Sequence, residues 1–390
     1  VSVAALAAAS PRLRVCVVAH AAYGALIQDP GRHVGGVERQ TTLLSRWLAA
    51  RGHDVSLVTW DEGQRDGARV DGVRNLKACA RADGLPGLRF VHPRWTSLVR
   101  ALRRADADLY YHNCGECVTG QVALWSRTHG RAFVFWTASD TDCDPCLPTL
   151  TRRRERVLYR YGLRRADRVI AQTRAQQAML RQGFGVEAEV IPAPCPGPGA
   201  GEYRARTVPP AQARVLWVGR VAPEKRPDRL LDLAQARPGL AFDLVGPGGP
   251  GAYAQETLAR ARTLSNVTVH GALARPALAR LYAAASCLLC TSDYEGFPNT
   301  FLEAWSHGLP VVSTLDPDGL IAERRLGAVG AGEDRLAAAL EGLLRSPGRW
   351  LEASAAGRAY YLENHTVDAA MSRVERTFLA AVARRVEGRR

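Results

Sequence analysis

Short apolar runs alternate with amphipathic stretches along most of the chain, a pattern that predicts repeated strand–helix units. The first run, 14–20, reads as a strand. A polar, glycine-rich loop follows and ends His33-Val-Gly35-Gly36-Val-Glu38-Arg39. Beyond it Val37, Leu43, Leu44, Trp47 and Leu48 fall on one helical stripe closed by Gly52. A second strand at 55–60 completes a β–α–β unit, which demands parallel pairing. Strand-like runs recur at 109–112, 133–137, 169–172 and 189–191 with helical segments between them, so 11–193 reads as one α/β domain. Proline and glycine crowd 192–210 and break both kinds of element, which places a linker there. A second alternation then begins, with strands at 215–218, 242–245, 267–270 and 311–313 and helices at 228–236, 253–263 and 276–284. It defines a second α/β domain over 208–367.

The densest chemistry lies just before the last of those strands. The apolar run 281–290 ends in a short strand, and from Asn299 the spacing turns helical, with Phe301, Leu302 and Trp305 as an apolar stripe closed by Gly308 and Pro310. Glu295 therefore sits on the turn and Glu303 about one helical turn inside. Both can address the helix N-terminus, which attracts anions. Two carboxylates beside an anion site suit a ligand with phosphate at one end and hydroxyls at the other, as in a sugar nucleotide. Strand 215–218 runs into Gly219-Arg220-Val-Ala-Pro-Glu224-Lys225, where Arg220 and Lys225 can converge on a diphosphate. The next strand ends Val245-Gly246-Pro-Gly248-Gly249, and Gly35-Gly36 opens the first long helix.

Composition sharpens this picture in places. A 390-residue chain with 47% hydrophobic residues can bury two ordinary cores. Its net charge of +14 favours anionic partners, although lysine occurs only at Lys77 and Lys225, so nearly all of the charge is arginine. That makes Lys225 a candidate point charge. No run of eighteen apolar residues exists to span a bilayer, and residues 1–10 lack the basic start of a signal peptide. Nine cysteines without export signals point to a reduced, cytoplasmic chain. Cys114-Gly-Glu-Cys117 and Cys143-Asp-Pro-Cys146 both follow expected strands of one sheet, so their four thiols could hold a structural zinc or form disulfides. Arg153, Arg156, Arg160, Arg164 and Arg168 recur at helical spacing over 152–168. Such a face either rests on anionic lipid headgroups at the inner side of a membrane or is simply solvated.

The stretch Glu295, Gly296, Phe297, Asn299, Glu303, Gly308 and Pro310, with Pro298 in the same turn, resembles the two-glutamate signature of retaining glycosyltransferases of the GT-B fold, family 4, also called glycosyl transferases group 1. The resemblance implies two Rossmann-like domains facing across a cleft, with the last helix, about 368–388, packing back on the N-terminal domain. It implies a UDP- or GDP-sugar donor, with no cofactor or metal required. Arg220 and Lys225 would neutralise the leaving diphosphate, Gly219 and Gly246 would leave room for the nucleotide, and Glu303 would take its ribose hydroxyls. Glu295 would orient the transferred sugar in a front-face reaction, and the Gly35-Gly36 amides would face the donor phosphates or the acceptor. The acceptor would be a glycan, a lipid-linked sugar or a small molecule. Many relatives carry a histidine after the strand at 133–137, which is absent here; Ser139 or Asp140 would fill its place, or His112 beyond the neighbouring strand would reach the site. Two other readings remain. One is a different GT-B enzyme, such as a nucleotide-sugar epimerase or a phosphorylase, the latter disfavoured by the scarcity of lysine. The other is a non-enzymatic nucleic-acid binder, for which no recognised nucleic-acid motif appears in the chain.

Overall fold

Parallel strands buried on both faces need continuous apolar sequence, and the longest such runs form the middle of two separate sheets. The computed structural model describes residues 11–29, 35–199, 201–207, 212–249 and 251–387. Residues 1–10, His33, part of the proline-rich stretch and the last three residues lie outside them. The chain divides into two units, one ending at Ala193 and rejoined from Ala370, the other Pro194–Ala369.

The first unit holds β1 (Arg14–Val18), β2 (Asp54–Thr59), β3 (Arg69–Val70), β4 (Val73–Lys77), β5 (Leu109–Asn113), β6 (Ala132–Trp136), β7 (Arg168–Ala171) and β8 (Glu189–Val190). Their order across the sheet is β3-β4-β2-β1-β5-β6-β7-β8, parallel throughout except for β3 against β4. The order reverses at β1, which pairs with β2 on one side and β5 on the other. Cys16, Val18, Tyr110, Phe133 and Phe135 anchor the core. The helices Cys117–Thr128 and Arg153–Arg165 meet through glycines. A Cβ on Gly120 would lie 2.2 Å from the Leu158 carbonyl oxygen. Strand β4 escapes the apolar pattern because a buried polar cluster stands in for hydrophobic residues: Asn75 donates to Thr59 Oγ1 at 2.9 Å, and Gln64 donates to Asn75 Oδ1 at 3.2 Å. The helix expected over 152–168 stops at Arg165, and Arg168 opens β7. The helix Val367–Glu387 contributes Val374, Glu375 and Phe378 to this unit, with the Phe378 ring 5.6 Å from Tyr111 of β5.

The second unit holds β9 (Arg214–Val218), β10 (Ala241–Val245), β11 (Val267–Gly271), β12 (Cys287–Cys290), β13 (Val311–Ser313) and β14 (Gly327–Val329). All are parallel, in the order β11-β10-β9-β12-β13-β14. Here the order reverses at β9. Val215, Trp217, Phe242, Leu289, Val312 and Trp350 form its core. The described part of the proline-rich stretch is fastened to this unit rather than running free. Cys195 N–H donates to the His365 carbonyl and accepts, through its own carbonyl, from Tyr361 Oη, both at 2.9 Å. Arg206 donates to the carbonyls of Tyr282, Ala283, Ala285 and His307.

Candidate functional site

In open parallel sheets the loops on either side of an order reversal splay apart, leaving a crevice at the carboxyl ends of the strands. In the second unit that crevice is framed by the loops after β9, β10 and β12. Gly219 and Gly246 make the approach of the first two possible. Gly246 adopts φ +143°, and a Cβ there would stand 1.7 Å from the Gly219 carbonyl oxygen. The loops after β9 and β12 are stitched together. Trp217 Nε1 donates to Thr291 Oγ1 at 2.9 Å, Thr291 Oγ1 donates to the Lys225 carbonyl at 2.7 Å, and Asp293 N–H donates to the Glu224 carbonyl at 3.0 Å.

This stitching brings Lys225 and Glu295 into a salt bridge although seventy positions separate them. Ser292 Oγ donates to the same carboxylate at 2.8 Å. Both members are largely but not fully enclosed, with side-chain exposures of 25% and 17%. Arg220 does not join them; it is 55% exposed and pairs with Glu224 at 2.7 Å. Glu303 accepts from the Tyr282 hydroxyl at 2.8 Å. Burial, and then the Glu303 charge, push that hydroxyl well above the ordinary phenol range, so it remains a donor. Phe297 packs against Trp305 and His365, with ring centroids 6.2 Å and 5.6 Å away, and Pro298 is buried at the helix start. Asn299 is exposed and Gly296 half-buried. Tyr282, Ser292, Thr291 and Trp217 escape sequence reasoning. Only Ser292, three positions before Glu295, carries a local signal.

The first unit has a cavity of about 810 Å³ at its own order reversal, between the ends of β1 and β5. Gly35 and Gly36, the start of the helix Gly36–Ala50, line it together with His112, Cys114 and Cys117. His112 lies inside β5 rather than beyond it, buried to 3% exposure, and Nδ1 donates to the Val18 carbonyl at 2.8 Å. Ser139 and Asp140 do not line the cavity. Ser139 caps the short helix Asp140–Cys143, and Asp140 accepts from Gln176 Nε2 at 3.0 Å. The four cysteines do not gather. Cys143 is buried and Cys146 exposed, all four thiols are free, and no group of three or more potential metal ligands exists among the described residues. Burial pushes the Cys117 thiol up to about 11 and Cys114 well above its usual value, which disfavours thiolate chemistry.

Residues 34–196 match the family model described as Glycosyltransferase Family 4, and residues 212–346 match Glycosyl transferases group 1. The chain belongs to the GT-B glycosyltransferases. Over 176 residues this GT-B chain is 35% identical to a D-inositol 3-phosphate glycosyltransferase of Mycolicibacterium paratuberculosis, across 42% of the chain and 40% of that protein. The chain thus spans about two fifths of the length of that relative. It is 27% identical to a GDP-mannose-dependent alpha-mannosyltransferase of Mycobacterium tuberculosis over 345 residues, 81% of the chain and 86% of the relative. The solved structure of sucrose-phosphate synthase from Thermosynechococcus elongatus superposes with a TM-score of 0.74 at 20% identity, covering 95% of this chain and 99% of that one, a likeness of fold.

Proposed function

We propose that the chain transfers a sugar from a nucleoside-diphosphate donor to a hydroxyl of a sugar-containing or lipid-linked acceptor, with retention at the anomeric carbon. The observation that carries this reading is the Lys225–Glu295 pair at the order reversal of the second unit, with Glu303 held by Tyr282 on the helix that follows. Breaking a glycosyl–phosphate bond builds negative charge on the departing oxygen, and a fixed ammonium offsets it without reorganisation. In this reading Lys225 exchanges its carboxylate partner for the donor diphosphate, and Arg220, on an exposed loop, swings from Glu224 to join it. Glu295, released, takes the transferred sugar's hydroxyls, and Glu303 takes the ribose. The leaving phosphate oxygen receives the acceptor proton, so no side-chain nucleophile and no metal are needed. The name of one relative, a GDP-mannose-dependent alpha-mannosyltransferase, favours a GDP-linked donor.

No described helix is long and apolar enough to cross a membrane. Contact with a cytoplasmic membrane face would instead rest on the basic helix Arg153–Arg165. There Arg156 and Arg160 already donate to the carbonyls of Leu150 and Pro145 at 2.6 and 2.8 Å, which leaves Arg153, Arg164 and Arg165 facing solvent.

A panel of UDP-, GDP- and ADP-sugars, tested by thermal shift and by turnover in the presence of a chelator, examines the proposal. One donor should stabilise the chain and be consumed only when acceptor is added. Consumption with release of an epimerised donor and no acceptor would indicate an epimerase instead. A requirement for divalent metal would remove the role given to Lys225.

A further inference from the structure

The loop that carries Lys225 owes its shape to a neighbour that the proposed chemistry leaves unused. Arg226 adopts φ +48° and ψ +48°, the left-handed region that an arginine seldom enters. Among the described residues of the second unit, three non-glycines have positive φ, namely Arg226, Asp318 and Arg325, and Arg226 is the one on a loop framing the crevice. A backbone held there persists only where its surroundings fix it. The bend lies between the short turn Pro223–Lys225 and the helix Pro227–Ala236, so it sets where Lys225 sits relative to that helix.

The side chain supplies the hold. Arg226 Nε and Nη2 both donate to Asp228 Oδ2, at 3.0 and 2.8 Å. Asp228 Oδ1 accepts from the Tyr253 hydroxyl at 2.6 Å, and Tyr253 stands on the helix Ala252–Thr263 that follows β10. Burial alone would raise the Asp228 carboxyl, but the hydrogen bonds from Arg226 and Tyr253 hold it below the ordinary range. On the other side, Arg226 Nη1 lies 3.5 Å from Asp293 Oδ2, and Arg229 Nη2 lies 2.8 Å from Asp293 Oδ1. Arg229 Nη1 donates to the Thr291 carbonyl at 2.8 Å. Asp293, from the loop after β12, thus meets an arginine at each oxygen, both from the segment after β9. Its own N–H is on the Glu224 carbonyl, so backbone and side chain are fastened to the same loop. A lone surface pair contributes little, but four charges joined across two loops fix a geometry.

Lys225 directly precedes Arg226, and Glu295 follows Asp293 by two positions, so the pair that carries the proposed function hangs on this clamp. We propose that Arg226 and Asp293 are positioning residues for sugar transfer: their clamp holds the Lys225 ammonium where the donor diphosphate lies, and neither touches the substrate. The inference rests on the glycosyl-transfer reading for its effect on turnover; its effect on Lys225 itself does not depend on that reading.

The scarcity of lysine makes the test direct. Lys77, in the first unit and paired with Asp61 at 2.7 Å, is an internal reference for Lys225. Brief acetylation of the full chain with N-hydroxysuccinimidyl acetate, read by mass spectrometry, gives the ratio of label at Lys225 to label at Lys77. Arg226→Gly keeps the left-handed turn, which glycine adopts freely, and removes only the side chain. Asp293→Asn removes the charge at nearly constant shape. Both variants should raise the labelling ratio severalfold as the clamp is released. Both should lower kcat for the preferred sugar nucleotide about ten-fold, with donor KM within about two-fold of wild type, because a displaced charge fails the transition state more than the ground state. Arg226→Gly should melt no lower than wild type, since glycine relieves the backbone as the side chain is lost. The double variant should fall well short of the product of the two single losses, because one clamp serves both residues.

Wild-type labelling and kcat in both variants would overturn the proposal. So would a raised ratio with unchanged kcat, or a loss of kcat that tracks a loss of thermal stability. If wild type consumes no sugar nucleotide, the glycosyl-transfer reading fails by itself; a raised ratio in the variants then supports the clamp on Lys225, and an unchanged ratio overturns that as well.

Discussion

Lys225 is one of two lysines in the chain, and it faces a carboxylate that the fold gathers from seventy residues away. Under the proposed sugar transfer, this pair is the resting state that a donor diphosphate displaces. Replacing Lys225 with alanine is expected to lower kcat for the preferred sugar nucleotide about a hundredfold or more, the scale of losing one preorganised charge contact; steady-state kinetics without metal reads it. Glu303 depends on a neighbour no spacing rule would nominate. Tyr282→Phe removes one hydrogen bond to a charged group, so donor KM should rise about ten-fold while kcat holds, consistent with a net worth of about 1.5 kcal/mol. An unchanged KM would mean that Tyr282 merely fills space. The acidic pair was legible because the strand, turn and helix around it are consecutive in sequence. Tyr282, Trp217 and Thr291 were not, because their role exists only once β9 and β12 lie side by side.

Strand ends, rather than strand interiors, carry the constraints that the apolar pattern cannot express. Gly246 is one of three glycines in the turn after β10, and its φ of +143° and the 1.7 Å approach of the Gly219 carbonyl leave no room for a side chain. Gly246→Ala should destabilise the second unit by about 3 kcal/mol or more, through backbone strain and overpacking together. Denaturant titration should show it, alongside loss of nucleotide binding. Gly120 makes the corresponding case in the first unit, where alanine would drive the helices Cys117–Thr128 and Arg153–Arg165 apart. The central strands of both sheets were legible as apolar runs, with ends displaced by only a residue or two. β4 was not, because Asn75 and its partners satisfy one another inside the sheet and break the alternation. β14 was not either, being three residues long and opening on a glycine.

Many of the chain's arginines are committed to carboxylates within its own fold, which is why their number alone said little about partners. Arg14 and Arg131 share Asp106 and Asp108, Arg214 pairs with Asp243, and Arg385 pairs with Asp167. The pairings that matter most for the assembly of the first unit lie on the final helix, whose residues from Ala370 onward return to it. Glu375 there is 7% exposed and accepts from Arg51 at 3.0 Å and from His53 Nε2 at 2.9 Å. His53 Nδ1 accepts from Leu13 N–H, so Nε2 carries the proton that Glu375 receives. Burial alone would push the Glu375 carboxyl up, but the hydrogen bonds from Arg51 and His53 together outweigh it and hold the group below its ordinary value. A carboxylate depressed in the folded state stabilises it above the unfolded value, and that contribution is lost as pH falls through the folded one. Glu375→Gln should therefore cost about 2 kcal/mol at neutral pH, and the gap to wild type should close below the ordinary carboxylate range. Chemical denaturation of both proteins from pH 3 to pH 8 would show a difference that grows with pH and then levels. Since Glu375 belongs to the first unit and Lys225, Glu295 and Glu303 to the second, the variant should keep its affinity for nucleotide. A difference independent of pH would mean that glutamine is tolerated or rejected for its shape, and that the carboxylate's charge contributes nothing to holding the last helix in place.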